Sequence, residues 1–157
     1  MKKSITQNFK YASIGLLVAR AALLKDRLLD KHLAELDVTA AQFKVLIIIA
    51  QYELDTPADL CRYLALDSGS MTRMLDRLEQ KKLIVRKRCA TDRRQVRLAL
   101  TASGLELAAH LPEVGAAAMG EFVGVLEPEE VQALEASLTK ILLAVDDPIV
   151  ALHIGAK

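Results

Sequence analysis

The 157-residue chain has few of the residues on which catalytic and metal sites are usually built. Its three histidines, at positions 32, 110 and 153, show no metal-binding spacing, and its two cysteines form neither a CxxC motif nor a disulfide framework. A Gly-rich phosphate loop, an HExxH motif and a nucleophile elbow are all missing. The sequence therefore predicts a protein that is not an enzyme and that needs no cofactor or metal.

Long apolar runs are also missing. The longest, VLIIIA at 45–50, is far shorter than the ~20 residues that a membrane-spanning helix needs. Arg20, Lys25 and Arg27 interrupt the apolar stretch near the N-terminus, which argues against a signal peptide, so we expect a cytoplasmic protein without a membrane span. Apolar residues nevertheless make up 52% of the chain, which suggests that part of this surface is hidden in an oligomer.

The net charge of +1 conceals two segments of opposite charge. Residues 61–101 contain 11 Lys/Arg and 4 Asp/Glu, a net charge of +7. Residues 102–157 contain 2 Lys/Arg and 9 Asp/Glu, a net charge of −7. Charge that served only solubility would not need this segregation, so the basic middle segment indicates a polyanionic partner.

The hydrophobic periodicity predicts a mainly α-helical protein with one small β-hairpin. Thr39, Thr56 and Asp67 are the predicted N-caps, and Pro112 predicts a kink or a break near residue 111. The two short helices before the hairpin are joined by a tight turn and form a helix-turn-helix. The predicted helices cover 8–35, 40–52, 57–64, 68–81, 102–126 and 128–145, and the predicted strands cover 84–88 and 96–100.

The helix predicted at 68–81 has two different faces. At about 100° per residue, its apolar residues fall on one side, and arginines with small polar residues fall on the other, with Ser70 at the border. Arginine can bond guanine edges through both terminal nitrogens, and Ser or Thr hydroxyls can reach bases or phosphates. The alternative is a solvated helix face, but the basic hairpin that follows favours a DNA recognition helix.

The hairpin itself is typical of a wing. The segment RKRCATDRRQVRLAL at 86–100 places Arg93 and Arg94 near the tip, where arginines can enter the minor groove of A·T-rich DNA. Phosphate would repel Asp92, which we therefore expect to hold an arginine in position by a charge-assisted hydrogen bond. The alternative is an exposed cluster of screened charges.

Two segments, DSGSMTRMLDRLEQKKLIVRKR at 67–88 and DRRQVRLALTASG at 92–104, resemble the MarR family of bacterial transcriptional regulators. The segments LDVTAAQFKVL at 36–46 and LEPEEVQAL at 126–134 match the family in kind. One position departs from the pattern, because Lys82 stands where the family usually has a glycine. A left-handed residue other than glycine costs about 1 kcal/mol, so we expect the end of the recognition helix to differ locally.

The resemblance implies a winged helix-turn-helix domain at 36–104 and a helical dimerisation region formed by 1–35 and 105–157. It also implies a homodimer that binds a pseudo-palindromic operator in double-stranded DNA, with half-sites about one helical turn apart. By the same resemblance, residues of the recognition helix face the major groove and others form the wing tip. The first group is Ser68, Ser70, Thr72, Arg73 and Arg77, and the second is Asp92, Arg93 and Arg94.

Members of the MarR family often respond to small ligands, frequently aromatic acids or phenols. The resemblance therefore implies a small-molecule effector that releases a repressor from DNA. The candidate ligand-binding residues are Arg86, Arg20, Tyr11, His32 and Lys44. Two alternatives stay open: a redox-responsive regulator that acts through Cys89, and a winged-helix protein-interaction module that does not bind DNA. Family thiol sensors have a reactive cysteine near the first helix, and this chain has none before Cys61.

Overall fold

A computed structural model describes residues 11–52, 54–88, 95–147 and 149–150. These residues contain six α-helices and one antiparallel β-hairpin, and a short 3-10 turn over 34–36 extends the first helix. The helices are α1 (Ala12–Leu33), α2 (Ala40–Tyr52), α3 (Pro57–Leu64), α4 (Ser68–Gln80), α5 (Ala102–Val123) and α6 (Pro128–Leu143), and the strands are β1 (Ile84–Arg88) and β2 (Val96–Leu100).

Side-chain caps fix the starts of the central helices. The hydroxyl of Thr56 accepts a hydrogen bond from the backbone N–H of Asp59 at 3.1 Å, and a carboxylate oxygen of Asp67 accepts one from that of Ser70 at 2.8 Å. Thr39 caps α2 in the same way. These local bonds satisfy N–H groups that have no partner inside the helix, which explains why the predicted starts are confirmed.

The sequence predicts a kink or a break near residue 111, at Pro112, and the break is wrong. Helix α5 continues through this proline from Ala102 to Val123. A proline inside a helix removes one hydrogen bond at a cost of about 3 kcal/mol. Leu111 and Ala118 are both fully buried, so the helix is packed against the core on both sides of the proline. Burial of the two halves offsets the lost hydrogen bond.

One hydrophobic core joins α1 through α5 and the hairpin. Its fully buried members include Leu33, Leu46, Leu60, Leu75, Leu78, Ile84 and Leu111. In the hairpin, Arg86 lies opposite Leu98, and Lys87 lies opposite Arg97. Side chains alternate between the two faces along each strand, and residues paired across the strands lie on the same face. Ile84 and Leu98 therefore lie on one face of the hairpin, and both are buried in the core.

Helix α6 and the first half of α1 lie outside this core. Helix α6 buries no residue, and both helices expose large apolar side chains. No helix among the described residues is long and apolar enough to cross a membrane. The exposed apolar residues are Ile14, Leu16, Leu17, Val18, Leu23 and Leu24 on α1, and Leu134, Leu138, Ile141, Leu142 and Leu143 on α6.

Candidate nucleic-acid interface

Helix α4 separates its residues into two faces, as the sequence predicts. Met71, Leu75 and Leu78 are buried in the core. Met74 is half-buried and packs against the same core. The opposite face carries the polar residues of the predicted recognition surface. Of these, Ser68, Thr72, Arg73 and Arg77 are exposed, and Ser70 is half-buried.

Short hydrogen bonds organise this polar face. The guanidinium group of Arg73 donates to the hydroxyl of Ser70 at 3.1 Å, and the hydroxyl of Thr72 donates to the carbonyl of Ser68 at 2.8 Å. Arg73 and Arg77 also line a cavity of about 240 Å³ between α4 and the start of α2. Two guanidinium groups and the partial positive charge of a helix N-terminus make this side of the molecule attractive to phosphate.

The end of α4 differs from the expectation at Lys82. This residue has a φ of 57°, so it adopts the left-handed conformation that the family's glycine would adopt. Its N–H donates to the carbonyl of Glu79, and the N–H of Leu83 donates to that of Leu78, which is a Schellman motif. The expected local difference is therefore wrong. The two hydrogen bonds and the burial of both leucines offset the cost of the left-handed lysine.

The base of the hairpin is fixed by LTASG at 100–104, the end of the second segment that resembles the MarR family. The hydroxyl of Thr101 donates to the carbonyl of Lys82 at 2.6 Å, and its N–H donates to that of Leu83 at 3.1 Å. The same hydroxyl caps α5 by accepting from the N–H of Gly104. A Cβ atom on Gly104 would lie 2.0 Å from the carbonyl oxygen of Leu83, so only glycine fits. The structure thus gives a reason for Thr at 101 and for Gly at 104.

Arg86, on β1, is held by two acidic residues of α4. Its guanidinium group donates to Asp76 at 2.7 Å and to Glu79 at 2.6 Å, and its backbone N–H lies 3.3 Å from the other Glu79 oxygen. Burial alone would lower the pKa of Arg86, but the hydrogen bonds to Asp76 and Glu79 outweigh it and raise the pKa above its usual value. Arg86 therefore faces α4.

The second strand is tied to a different part of the chain. Arg97 donates two hydrogen bonds to the carboxylate of Asp55, at 2.8 and 2.9 Å. The backbone N–H of Leu98 also donates to the carbonyl of Asp55. The hairpin is thus attached to α4 through β1 and to the α2–α3 connection through β2. The ion pairs of Arg86 and Arg97 could not be predicted from local sequence patterns, because in each pair the two residues lie on different elements of the structure.

The predicted ligand-binding residues have separate surroundings. The ring nitrogen Nε2 of His32 lies 2.8 Å from Glu121 on α5. Lys44 donates to Asp26 on α1 at 2.8 Å. Arg20 is exposed on α1, and Tyr11 precedes that helix in a left-handed conformation, with its side chain exposed. Since His32, Lys44 and Arg86 each already contact a carboxylate, an anionic ligand would have to displace it.

Hydrogen bonds from these cations perturb the acidic partners. Hydrogen bonds from Lys31 and His32 lower the pKa of Glu121. Burial raises the pKa of Asp26, but Lys25 and Lys44 outweigh this effect and lower it overall. These pairs connect α1 to α5 and to α2, and no local pattern in the sequence predicts them.

The predicted wing tip, with Asp92, Arg93 and Arg94, lies outside the described residues, and so does Cys89. Cys61 is a free thiol and is half-buried. No cluster of three His, Cys, Asp or Glu side chains that could hold a metal occurs in the part of the chain that the structure describes. Within the described residues, the candidate interface therefore consists of the exposed face of α4 and the two strands beside it.

Comparison with known proteins gives the family. Residues 38–96 match the model of the MarR family. The multiple antibiotic resistance protein MarR of Escherichia coli is 39% identical over 130 residues, which cover 82% of this chain and 90% of that protein. The chain belongs to the MarR family. The protein of the same name from Salmonella typhimurium has the same identity and coverage. Members of the MarR family are DNA-binding transcriptional regulators, so this chain is a regulator and not an enzyme.

Solved structures of MarR-family proteins share its fold. A mutant E. coli MarR complexed with operator DNA has a TM-score of 0.79 at 36% identity, covering 89% of this chain and 99% of that one. The Staphylococcus aureus MepR–DNA complex has a TM-score of 0.70 at 27% identity, covering 88% of this chain and 99% of that one. Bordetella bronchiseptica BpsR has a TM-score of 0.74 at 25% identity, covering 85% of this chain and 95% of that one. The DNA binding of BpsR is regulated by 6-hydroxynicotinic acid. The predicted winged-helix fold is confirmed.

Proposed function

We propose that this MarR-family chain is a repressor that binds a pseudo-palindromic operator as a homodimer. The observation that carries the proposal is the two-faced α4, in which Met71, Leu75 and Leu78 are buried and the arginine-bearing side is exposed. The likeness to E. coli MarR in complex with operator DNA supports this orientation. Two copies of α4 would enter successive major grooves.

The exposed face of α4 suits base recognition. Arg73 and Arg77 lie four residues apart on the same face, and a guanidinium group can bond guanine O6 and N7 together. The Ser70 and Thr72 hydroxyls have local partners and can exchange them for phosphate oxygens. Asp92, Arg93 and Arg94 would contact the adjacent minor groove from the wing tip.

A homodimer accounts for the apolar surface that one chain leaves exposed. The first half of α1 and the whole of α6 present leucines, isoleucines and a valine to solvent. Exposed apolar areas of this kind mark protein–protein contacts. The exposed residues Leu134, Leu138 and Ile141 form an apolar stripe on α6 with the three- and four-residue spacing of helix–helix packing. Helices α1 and α6 of two chains would therefore cover each other.

The effector would be a small anionic aromatic compound. The regulation of BpsR by 6-hydroxynicotinic acid supports this class of ligand. Arg20, Tyr11, His32, Lys44 and Arg86 are the candidate contacts. A ligand that binds only one arrangement of the dimer would shift the spacing of the two α4 helices and release the operator.

DNA binding is tested with duplexes recovered by the purified protein from a random library. We expect a palindromic duplex to bind specifically and the logarithm of its affinity to fall linearly with the logarithm of the salt concentration. Arg77→Ala should lower this affinity by about 10- to 100-fold, which is ~1–3 kcal/mol. Arg27→Ala, an equal charge change at an exposed position on α1, is the matched control.

Two results would contradict the proposal. One is the failure to recover any sequence that the protein prefers at low salt, which would favour a protein-interaction module. The other is an equal loss of affinity in the Arg77→Ala and Arg27→Ala variants, which would mean that only total charge matters. The wing is tested separately with Arg94→Ala, which should weaken operator binding without changing the thermal unfolding of the protein.

A further inference from the structure

The strand β1 meets α4 at two levels. The lower level is the Schellman turn with Lys82 and Leu83, where the chain passes from helix to strand. The upper level is Arg86, whose guanidinium group bonds Asp76 and Glu79. A connection at the lower level alone would leave the strand free to tilt. The second connection fixes the direction in which β1 leaves the helix.

The geometry at Arg86 restricts this direction strongly. A guanidinium group is planar, and its two terminal nitrogens here bond two carboxylates that lie three residues apart on α4. Glu79 also accepts from the backbone N–H of Arg86, so both the side chain and the main chain of the strand are held. The side chain of Arg86 is only 27% exposed.

An ordinary surface ion pair contributes little to stability, about 0–1 kcal/mol. Stability alone therefore gives little reason for two acids on this part of α4. Asp76 stands between Arg73 and Arg77 in the sequence, where a carboxylate would repel DNA phosphate. The placement has a cost for DNA binding, and a role in holding the wing explains why the acids stand there.

We propose that Arg86 is a positioning residue that, through Asp76 and Glu79, sets the angle between the wing and the recognition helix. The angle decides whether α4 and the wing can contact one DNA sequence at the same time. Groups held ready in their bound arrangement lose less conformational entropy on binding. The inference rests on the proposed function, since it concerns how the same surface selects its operator.

The double variant D76N/E79Q separates positioning from plain electrostatics. If the two acids matter only through their charge, removing them beside DNA strengthens binding to every sequence by the same factor. If they hold Arg86, binding to unrelated DNA becomes tighter while preference for the operator decreases. The two accounts thus predict different ratios of operator affinity to unrelated-DNA affinity.

The experiment uses the full chain, a palindromic duplex recovered from a random library and a scrambled duplex of the same composition. Fluorescence anisotropy at one salt concentration gives both affinities. We expect D76N/E79Q to bind the scrambled duplex at least as tightly as the unaltered protein, and the ratio to fall about tenfold, as for one mismatched base pair. Arg86→Lys should give a smaller loss of this ratio, because an ammonium group keeps the positive charge but lacks the planar fork.

Asp55→Asn is the matched control, since it removes the ion pair with Arg97 on the other strand and leaves α4 untouched. We expect it to change the ratio less than twofold. An unchanged ratio in D76N/E79Q, or an equal loss in Asp55→Asn, overturns the inference. If D76N/E79Q fails to fold in a thermal unfolding measurement, an unchanged ratio in Arg86→Lys overturns it instead. Failure of the unaltered chain to prefer any duplex overturns the proposed function as well.

Discussion

The part of the molecule that includes the second half of α1, helices α2 to α5 and the hairpin shares one buried core, whereas α6 and the first half of α1 lie outside it. In the former, leucines such as Leu46, Leu60 and Leu75 are inaccessible to solvent. In the latter, Leu17 is 65% exposed and Ile141 is 62% exposed. The difference teaches that one chain buries the core beneath its candidate DNA-binding surface and leaves apolar residues of α1 and α6 exposed, which the proposed homodimer would cover.

The two parts also differ in their polar contacts. Within the described residues, the first part has four side-chain helix caps, a Schellman turn and three ion pairs that fix the hairpin. Helix α6 has a capping box at Glu127 and an exposed apolar stripe. A recognition surface must be precise to within a fraction of an ångström, and polar contacts supply this precision. A dimer contact between helices depends mainly on buried apolar area.

The largest expected effect comes from placing charge on the stripe of α6. The double variant L138E/I141E should convert a dimer into a folded monomer, because two buried carboxylates in the contact have no partners. Operator affinity should fall by about 100-fold or more, since only one half-site can then be occupied. Analytical ultracentrifugation measures the dimer, and anisotropy measures the operator affinity.

The control for this variant is Val125→Glu. Val125 is 90% exposed in the connection between α5 and α6, away from the stripe. It should leave both the dimer and the operator affinity unchanged. A dimeric L138E/I141E protein would show that α6 is not part of the contact, and the contrast between the two parts of the molecule would lose its explanation.

A smaller effect is expected at Lys82, where a substitution should stabilise the protein. Lys82→Gly should raise the free energy of unfolding by about 1 kcal/mol, because glycine adopts the left-handed conformation without steric cost. The neighbouring variant Lys81→Gly should instead lower it, since Lys81 has a right-handed φ of −74° and contacts Asp37. Urea unfolding monitored by circular dichroism gives both values. Stabilisation by both substitutions would refute the strain assigned to Lys82.

Local signals explain why much of the fold could be predicted from the sequence. The predicted ranges 40–52, 57–64, 84–88 and 96–100 coincide with α2, α3, β1 and β2. Caps such as Thr56 and alternating apolar residues in the strands act over a few residues, so a short segment contains the whole signal. The division of α4 into two faces follows from the helical period for the same reason.

Packing and long-range contacts explain what could not be predicted. Pro112 by itself predicts a kink or a break, but the burial of Leu111 and Ala118 favours a continuous helix. Lys82 indicates an altered helix end, but the Schellman hydrogen bonds impose the left-handed turn. For Arg86, the sequence cannot tell whether the side chain meets a ligand or α4, because its direction depends on how the hairpin packs.

The smallest expected effect concerns the contact between the second half of α1 and α2. Asp26 on α1 bonds Lys25 at 2.7 Å and Lys44 on α2 at 2.8 Å. Its pKa lies below the ordinary value of 3.8, so this contribution to stability is present above pH ~4 and is lost as the pH falls through the lowered pKa of the folded protein. Asp26 is partly exposed, so the contribution is below about 1 kcal/mol.

Asp26→Asn should therefore lower the free energy of unfolding slightly at pH 7 and reduce its dependence on pH below about 4. Urea unfolding at pH 7 and pH 3 measures both changes. Lys44→Met should weaken the same acid dependence, because it removes the partner that lies on α2. If Lys44→Met leaves the acid dependence of the unaltered protein intact, Lys25 alone accounts for the lowered pKa. The ion pair would then stabilise α1 by itself, and the apolar contacts of Leu29 and Leu33 would have to hold α1 to the core.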